Sequence, residues 1–585
     1  MTARKRNKKS NKKMLIISLC FFTAIFLTLS VYITNLFVKY EINNSELDKD
    51  NKENFLKDYN LFDLINGKND SSNSGNDDVA KSKTNYSLPV ADNKIDEIAA
   101  VSNYKNFSYE IIYPANYNTR GNNRIIFGHP DNYSKLSGIT CFRGNNYRDS
   151  ASFGYIKPNP EKLEIKWSLG IGAIDIWTGV GWTGQPAIIE WPDYLKKNMN
   201  IFENKKTKKY LKEVIYATLD GNIYFIDLDD GKYTRNPIKT KYPHKGSITV
   251  DPHGIPLLYA GQGIPERNGV KGPIKFRIFS LLDQKLIYSI DGYDKDAYRK
   301  WGAFDSGALL HQGTDTLIQC GENGIVYIIK LNTDYNDKYS KIAISPEIIK
   351  YRYKSPYGSK IGIENSPSAY KNYLFFADNS GLLQCLDLIT LKPVWLYNLK
   401  DDTDSSIVID EEDGNPFIYT GSEVDRQGAG GKAYIRKFDA LTGKLVWEKS
   451  YPCYYDSHTN GGILATPVSG KKDIENIVIF NIAKTARKKS GGLLTALDKN
   501  TGSEIWKVEL DSYSWSSPVA VYDSNGNSYI IICDSGGNVK LLKGSTGNVI
   551  TEINIGSNIE GSPAVYENMI VVGTRGRKIV CIEIL

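Results

Sequence analysis

Histidine and methionine are scarce in this chain, five and four among 585 residues, and its seven cysteines never fall as C-x-x-C, C-x-x-C-H or an adjacent pair. These gaps exclude a thioredoxin-type redox centre, a c-type haem site and a vicinal disulfide. The histidines are too dispersed to suggest a metal centre. No G-x-x-x-x-G-K-[S/T], H-E-x-x-H or G-x-S-x-G occurs, so phosphate-cradling, zincin and nucleophile-elbow chemistries have no foothold. Excess charge is missing from most of the chain as well. The formal +7 comes from 73 basic against 66 acidic residues, and Arg4, Lys5, Arg6, Lys8, Lys9, Lys12 and Lys13 all precede position 14. The remainder is formally neutral. A sequence-independent hold on nucleic acid needs a basic face, so no nucleic-acid partner is expected.

What is present begins with an uncharged run from Met14 to Val38, rich in Leu, Ile, Phe and Val. At ~1.5 Å per residue it spans a ~30 Å hydrocarbon core. It exceeds the ~7–15 residues of a signal-peptide core and has no small-x-small cleavage site after it. An uncleaved signal-anchor helix is favoured over a cleaved signal. The basic flank (1–13) then holds the N-terminus in the cytoplasm and the rest becomes extracytoplasmic. From 39 to 101 the composition is Asn, Asp, Lys, Ser and Glu, too polar to offset its ordering entropy. This predicts a disordered, flexible stalk reaching on the order of 40–45 Å over ~60 residues. Residues 102–160, rich in Tyr, Asn and Gly, read as a lead-in packed on the domain that follows. Of the cysteines beyond Cys20, Cys320, Cys385, Cys533 and Cys581 sit in predicted strands, and Cys141 and Cys453 have no near partner. Free buried thiols are expected.

The dominant pattern is a repeat. Asp387-x-x-Thr390 reaches Trp395, Asp439-x-x-Thr442 reaches Trp447, and Asp498-x-x-Thr501 reaches Trp506, each Trp eight residues after its Asp; Gly443 and Gly502 follow two of the Thr residues. Each repeat opens on a small or polar residue before a strand: Gln185, Ser247, Ser306, Ser366, Ser405, Thr466, Ser517 and Ser562. The openings are spaced 62, 59, 60, 39, 61, 51 and 45 residues apart. Turn signals such as Asp220-Gly221-Asn222 and Gly536-Gly537-Asn538 fit the hairpins between. Short strands at such a period define an all-β, eight-bladed β-propeller of four-stranded antiparallel blades over 161–585. The last copy ends at its third strand, Lys578 to Ile584, whereas Leu163 to Trp167 looks like an orphan fourth. Pairing them closes the ring and removes both edges. Trp167, Trp395, Trp447 and Trp506, with Asp387, Asp439, Asp498, Gly443 and Gly502, are read as structural blade-docking residues rather than chemistry.

The run Ala496-Leu497-Asp498-Lys499-Asn500-Thr501-Gly502-Ser503-Glu504-Ile505-Trp506 resembles the signature of the pyrroloquinoline-quinone-type repeat β-propellers. Asp439 to Trp447 matches from the Asp onward, and Asp387 to Trp395 departs at Leu391. Phe142-Arg143-Gly144-Asn145-Asn146 with Gly154 also resembles the family's lead-in before the first blade. The likeness covers roughly residues 140–585. It implies the propeller fold and leaves two families of activity: quinoprotein dehydrogenases using pyrroloquinoline quinone with Ca²⁺, and members without known cofactor that resemble an outer-membrane assembly lipoprotein. The adjacent-cysteine disulfide and the haem site of the dehydrogenases are absent here. Gly461-Gly462-Ile463-Leu464-Ala465-Thr466 resembles a run in the dehydrogenases, and serves equally as an ordinary inner strand.

In a propeller the loops entering the innermost strands ring one mouth of the central channel, where ligands commonly bind. Those loops carry Trp182, His244, Lys245, Trp301, Asp305, Glu364, Asp404, His458, Asn460, Trp515 and Glu560. Aromatic faces with carboxylates and an amide suit a sugar or a quinone; a solvated funnel with no specific ligand is the simpler reading. For proton abstraction Asp305 or Glu364 would be the base, but no catalytic residue and no metal site is assigned. Basic loops at Lys196–Lys212 and Lys484–Lys489 read as solvated faces, with anionic lipid or wall polymer as the alternative. The expected protein is a membrane-anchored, non-catalytic binding or scaffolding platform for envelope proteins or polymers, with no cofactor. The alternatives are a quinone-dependent dehydrogenase and a glycan- or cell-wall-binding module.

Overall fold

The computed structural model describes residues 95–115, 124–456, 459–485 and 489–585. A first unit, Met1–Leu88, lies wholly outside these, and the second, Pro89–Leu585, contains everything below. The tail, the run at 14–38 and most of the expected stalk therefore fall outside the described residues. Among the described residues no helix is long and apolar enough to cross a membrane.

Eight antiparallel sheets follow one another along the chain. Their first strands are Ala187–Glu190, Thr249–Val250, Leu309–His311, Ser368–Tyr370, Val408–Glu412, Val468–Ser469, Val519–Tyr522 and Ala564–Tyr566, defining blades one to eight. Central strands are buried on both faces: Thr316–Cys320 entirely, and Ile325–Lys330 but for its last residue. The fourth strand Glu347–Lys354 instead alternates, turning Ile349, Tyr351 and Tyr353 inward. This change from continuous to alternating apolar residues is what radially stacked sheets require. The ring closes through blade eight, where Leu163–Gly170 pairs antiparallel with Lys578–Ile584, Leu163 opposite Ile584 and Gly170 opposite Lys578. All six cysteines outside the N-terminal run are free and buried.

Four blades depart from four plain strands, in three ways. Blade three gains an outer strand, Ser108–Ile112, paired with Lys350–Lys354. Blade six is extended by Gly461–Gly462, which pairs Glu423–Val424. The third departure sits at the axis. Residues 137–153 do not lie on the outside of the ring; they run across its hub and meet the first strand of each blade or the residues that open it. Ser137–Ile139 pairs with Ile188–Glu190 of blade one, and Thr140 O accepts from Val250 N in blade two, 2.8 Å. Asn146 O accepts from Ala369 N in blade four and Tyr147 O from Ile409 N in blade five, 2.8 and 3.0 Å. Ser152–Phe153 then pairs in parallel with Val565–Tyr566 of blade eight.

Two arginines complete this hub. Arg148 donates to Gly307 O (2.7 Å) in blade three and Pro367 O (2.9 Å) in blade four. Arg143 donates to Pro467 O (2.9 Å) in blade six and Pro518 O (2.6 Å) in blade seven. Both are almost fully buried. Around them the blade openings form a relay in which a backbone N–H donates to the next blade's hydroxyl. Gly307 N reaches Ser366 Oγ, Ser366 N reaches Ser406 Oγ, Ser406 N reaches Thr466 Oγ1, Thr466 N reaches Ser517 Oγ, and Ser517 N reaches Ser562 Oγ. Gln185 N likewise donates to Ser247 Oγ. The small polar residue at most openings is thus a linker between neighbours.

At the rim, each of four tryptophans meets the next blade's turn. Trp167, Trp395, Trp447 and Trp506 donate Nε1–H to Leu228, Ala440, Lys499 and Gly544 carbonyls at 2.7, 3.0, 2.8 and 2.9 Å. Three residues on, Gly231, Gly443, Gly502 and Gly547 lie flat on those indoles; a Cβ at Gly443 would stand 2.7 Å from Trp395. These glycines hold φ near +70°, where side chains are strained. Leu391, φ +56°, occupies the equivalent place in blade four. The strand facing it from blade three carries Tyr351 and Tyr353 instead of a tryptophan, so a side chain fits there and joins that core.

Residues 95–101, assigned to the stalk by composition, are ordered on this rim. Ala99 is fully buried, and its carbonyl accepts from Leu396 N at 2.9 Å. A polar average conceals the short apolar contact.

Two stability predictions follow from this architecture. Arg148→Ala strands several buried carbonyls, each worth about 1–3 kcal/mol, and should lower stability by about 4 kcal/mol in urea unfolding, with Arg148→Lys recovering only part. Gly502→Ala should cost about 2 kcal/mol through positive φ and the Trp447 contact.

Candidate functional site

The same short openings that build the hub end in loops around one mouth of the ring. The loops joining second to third strands emerge on that face too, and the two sets interleave side chains. The structure gathers the sequence candidates into separate groups rather than one ring.

The first group centres on Lys245. Its Nζ lies 2.5 Å from Asp305 Oδ2 and 3.7 Å from Glu364 Oε2, and sits over the Trp182 ring, 5.9 Å from the centroid. Glu322, from the second-to-third-strand turn of blade three, joins Asp305 and Glu364. Arg299 approaches Glu322 at 3.8 Å and donates to Asn379 Oδ1 at 3.1 Å, while Asn379 Nδ2 donates to Glu364 at 2.8 Å. Burial opposes the Lys245 charge, yet Asp305, Glu364 and Glu322 outweigh it and hold its pKa well above the ordinary lysine value. Burial also opposes ionisation of Glu364, but Lys245 and Asn379 overcome it and keep that pKa low. For Asp305 burial wins despite Lys245, and the value rises. Glu322 is pushed well up by burial beside two carboxylates.

The second group is acidic throughout. Asp402 and Asp404, entering blade five, meet Glu423 from the second-to-third-strand loop of the same blade, with one carboxylate oxygen of each within 4.8 Å of the others. Asn460 Nδ2 donates to Glu423 Oε2 at 2.7 Å, and Trp515 Nε1 donates to Asn460 O at 3.0 Å. Asp402 is oriented by Thr403 N (2.7 Å) and Asn379 Nδ2 (3.0 Å). Burial, reinforced by Glu364, pushes Asp402 up to about 7. Asp404 and Glu423 are raised well above their ordinary values by burial and by neighbouring acids. Two unit charges ~4 Å apart repel by about 4 kcal/mol at an effective dielectric of ~20, so three ionised carboxylates do not rest here unaided.

Elsewhere the candidates separate. Glu560 pairs with Arg575 at 3.7 Å. Trp301 is 37% exposed on the rim. His244 is buried, with ring nitrogens 2.5 Å from Gly261 O and 2.8 Å from Thr240 Oγ1; burial lowers its pKa to about 4. It is committed to its own loop. His458 lies outside the described residues. The basic loop of blade one is largely neutralised internally: Lys205 binds Asp227 and Asp230, Lys208 binds Asp227 and Asp229, and Lys212 binds Glu567.

Sequence reasoning missed Glu322 and Glu423 because it followed only the loops that enter first strands; Asp402 and Arg299 lie in such loops and were passed over for their neighbours Asp404 and Trp301. A usable signal existed: a polar residue just past a second strand and before a Gly turn, as in Glu322-Asn323-Gly324, points to the same mouth.

Fold and site together define an eight-bladed β-propeller with a carboxylate-lined funnel. Residues 490–585 are a repeat domain matching the family described as outer membrane protein assembly factor BamB. Among solved structures, a quinohemoprotein alcohol dehydrogenase, ADHIIG of Pseudomonas putida HK5, is 11% identical with a TM-score of 0.50, covering 77% of this chain and 80% of its own; that likeness shows the fold alone. BamB from Moraxella catarrhalis is 14% identical with a TM-score of 0.44, over 72% of this chain and 98% of that one. No curated protein matches the chain.

The acid cluster makes stability pH-dependent. A carboxyl with a folded pKa of about 7 against its ordinary 3.8 favours the folded state fully at low pH, and that advantage is lost as pH rises through 7. Unfolding midpoints should therefore fall between pH 5 and pH 8. Asp402→Asn should recover on the order of 3 kcal/mol at pH 8 and little at pH 4.

Proposed function

We propose that this protein is a membrane-anchored, non-catalytic platform outside the cytoplasm, which binds envelope proteins or polymers. The observation carrying this reading is the state of the funnel. Its lysine is engaged by Asp305 and lies over Trp182, and the remaining buried groups are mostly carboxylates without a nucleophile set beside a base. The run Met14 to Val38 behind a basic flank supports the anchor and its orientation. The family matched by residues 490–585 is named for an assembly factor, which supports protein partners.

Pyrroloquinoline quinone fits this funnel poorly. The quinone carries three carboxylates, and the floor already holds Asp305, Glu322, Glu364, Asp402, Asp404 and Glu423 against Lys245 and Arg299. Lys245 and Arg299 are already engaged by Asp305 and Glu322, which leaves neither free for the quinone's carboxylates. A glycan- or wall-binding role is favoured by one feature, the exposed indole of Trp301, a face on which a sugar ring can stack.

The experiment is capture from envelope extract by the propeller domain. We expect a discrete protein partner retained at physiological salt. Saturating pyrroloquinoline quinone with Ca²⁺ should give no dye reduction and no thermal shift beyond Ca²⁺ alone; either response would overturn the non-enzymatic reading. Retention on peptidoglycan that Trp301→Ala abolishes would replace the protein partner with a polymer.

A further inference from the structure

The circuit of backbone donors at the blade openings is interrupted at one boundary. Ser562 N carries it from blade eight to blade one on Thr183 O at 3.0 Å, but among the described residues no such link joins the openings of blades two and three. Ser306 Oγ, where that link would end, is buried with no hydrogen-bond partner. The first strands there are joined by Thr249 Oγ1 donating to Ala308 O at 3.3 Å. Lys245 and Asp305 face each other across this boundary, just ahead of Ser247 and Ser306. Their loops meet backbone to backbone, because a Cβ at Gly246 would overlap Asp305 O. Gly263 leaves the space beside the pair, since a Cβ there would lie 2.7 Å from Asp305 Oδ1 and 2.8 Å from Lys245 Cγ.

The contact itself is unusual. Lys245 Nζ stands 2.5 Å from Asp305 Oδ2, yet neither oxygen of Asp305 accepts an aligned hydrogen bond. Asp227, as deeply buried, instead accepts ordinary hydrogen bonds from Lys205 at 2.8 Å and Lys208 at 2.8 and 2.9 Å. With Oδ2 one C–O bond of ~1.2 Å from its carbon, the lysine nitrogen lies within ~3.8 Å of Asp305 Cγ. Two further carboxyls attend the pair. Burial and two neighbouring carboxylates push Glu322 towards its acid form, whereas Glu364, 3.7 Å from Nζ, is kept low despite burial by Lys245. A nucleophile and an electrophile thus sit between one proton donor and one proton acceptor.

We propose that Lys245 and Asp305 become joined by an intramolecular isopeptide bond in the folded protein, with Glu364 and Glu322 as its base and acid. Lys245 Nζ passes one proton to Glu364 and attacks Asp305 Cγ. As the C–N bond forms, Glu322 protonates one carboxyl oxygen. That oxygen takes a second proton from the nitrogen, the C–O bond breaks, and water leaves. Glu364 then returns its proton to Glu322. The sum is ammonium plus carboxylate giving amide plus water, with no oxidant and no activating group. Between free groups in water this condensation is unfavourable. Here the contact supplies a high effective concentration, and a neutral amide replaces two charges that are costly to hold out of water. One charge of each sign is lost, so the balance of this sector stands. The bond ties blade two to blade three where the circuit of openings is broken. It is a single self-modification, independent of any partner of the funnel.

The test is the intact mass of the full chain, reduced and denatured. It should fall below the mass of the sequence by one water. Trypsin should leave Lys245 uncut and release a branched peptide joining Tyr242–Arg267 to Trp301–Lys330. Lys245→Arg and Asp305→Ala should each restore the full mass and lower the melting temperature. Glu322→Gln keeps both partners and should slow linkage about a hundredfold, with the circular dichroism of the unaltered chain retained. The mass of the unaltered chain is read after denaturation, so its result stands whether or not a variant folds. Full sequence mass with the two tryptic peptides separate would overturn the proposal. So would a missing water that maps to a cyclised Asp-Gly pair such as Asp220-Gly221, or a deficit that survives Lys245→Arg. Unchanged linkage in Glu322→Gln would overturn the acid assigned to it.

Discussion

The hub is the constraint on which everything else in this protein rests. Eight first strands converge on one axis, and each presents an inner edge of backbone N–H and C=O groups that no neighbouring blade can reach. Unpaired, those groups would be buried and costly. Residues 137–153 satisfy them blade by blade, partly as short strands and partly through Arg143 and Arg148, whose guanidinium groups serve main-chain carbonyls in four blades. A guanidinium suits this task because it offers five donors in a rigid plane and stays charged when buried. Even with burial pulling it down to about 10, Arg143 is protonated at neutral pH. The relay of hydroxyls from Ser366 to Ser562, with Ser247 joining blades one and two, then fixes the pitch between those blades.

Much of this was readable from the chain, and what was not has a physical explanation. The tryptophan repeat and the small polar openings are local patterns tied to one blade each, so they survive in sequence and led to eight sheets and their closure. Leu391 looked like a decayed motif; it is a response to the blade before it, which presents tyrosines. The path of residues 137–153 through the axis left no periodic trace, because each of its contacts is with a different blade. Residues 95–101 were hidden by averaging, since the short apolar run that docks through Ile95, Ala99 and Val101 is diluted by the polar residues before it.

The funnel was legible only in part, for a related reason. Two families of loop reach the same mouth, and Lys245, Asp305, Glu364 and Asp404 came from one family, whereas Glu322 and Glu423 come from the other. A one-dimensional pattern records neither the interleaving nor the sign of the resulting field. In three dimensions the sector around blades two to four balances its own charge through Lys245 and Arg299, and the sector at blade five does not. That asymmetry distinguishes this mouth from a generic solvated opening.

The closing pair in blade eight carries a kinetic consequence. Leu163–Gly170 is among the earliest parts of the ring to leave a translocating or translating machine, and its partner Lys578–Ile584 is the latest. Until the two meet, the first-made segment must wait as an open edge. Such separation between partners slows folding and leaves an adhesive strand exposed to other chains. The domain should therefore be far more vulnerable in the seconds before its last strand arrives than at any time afterwards.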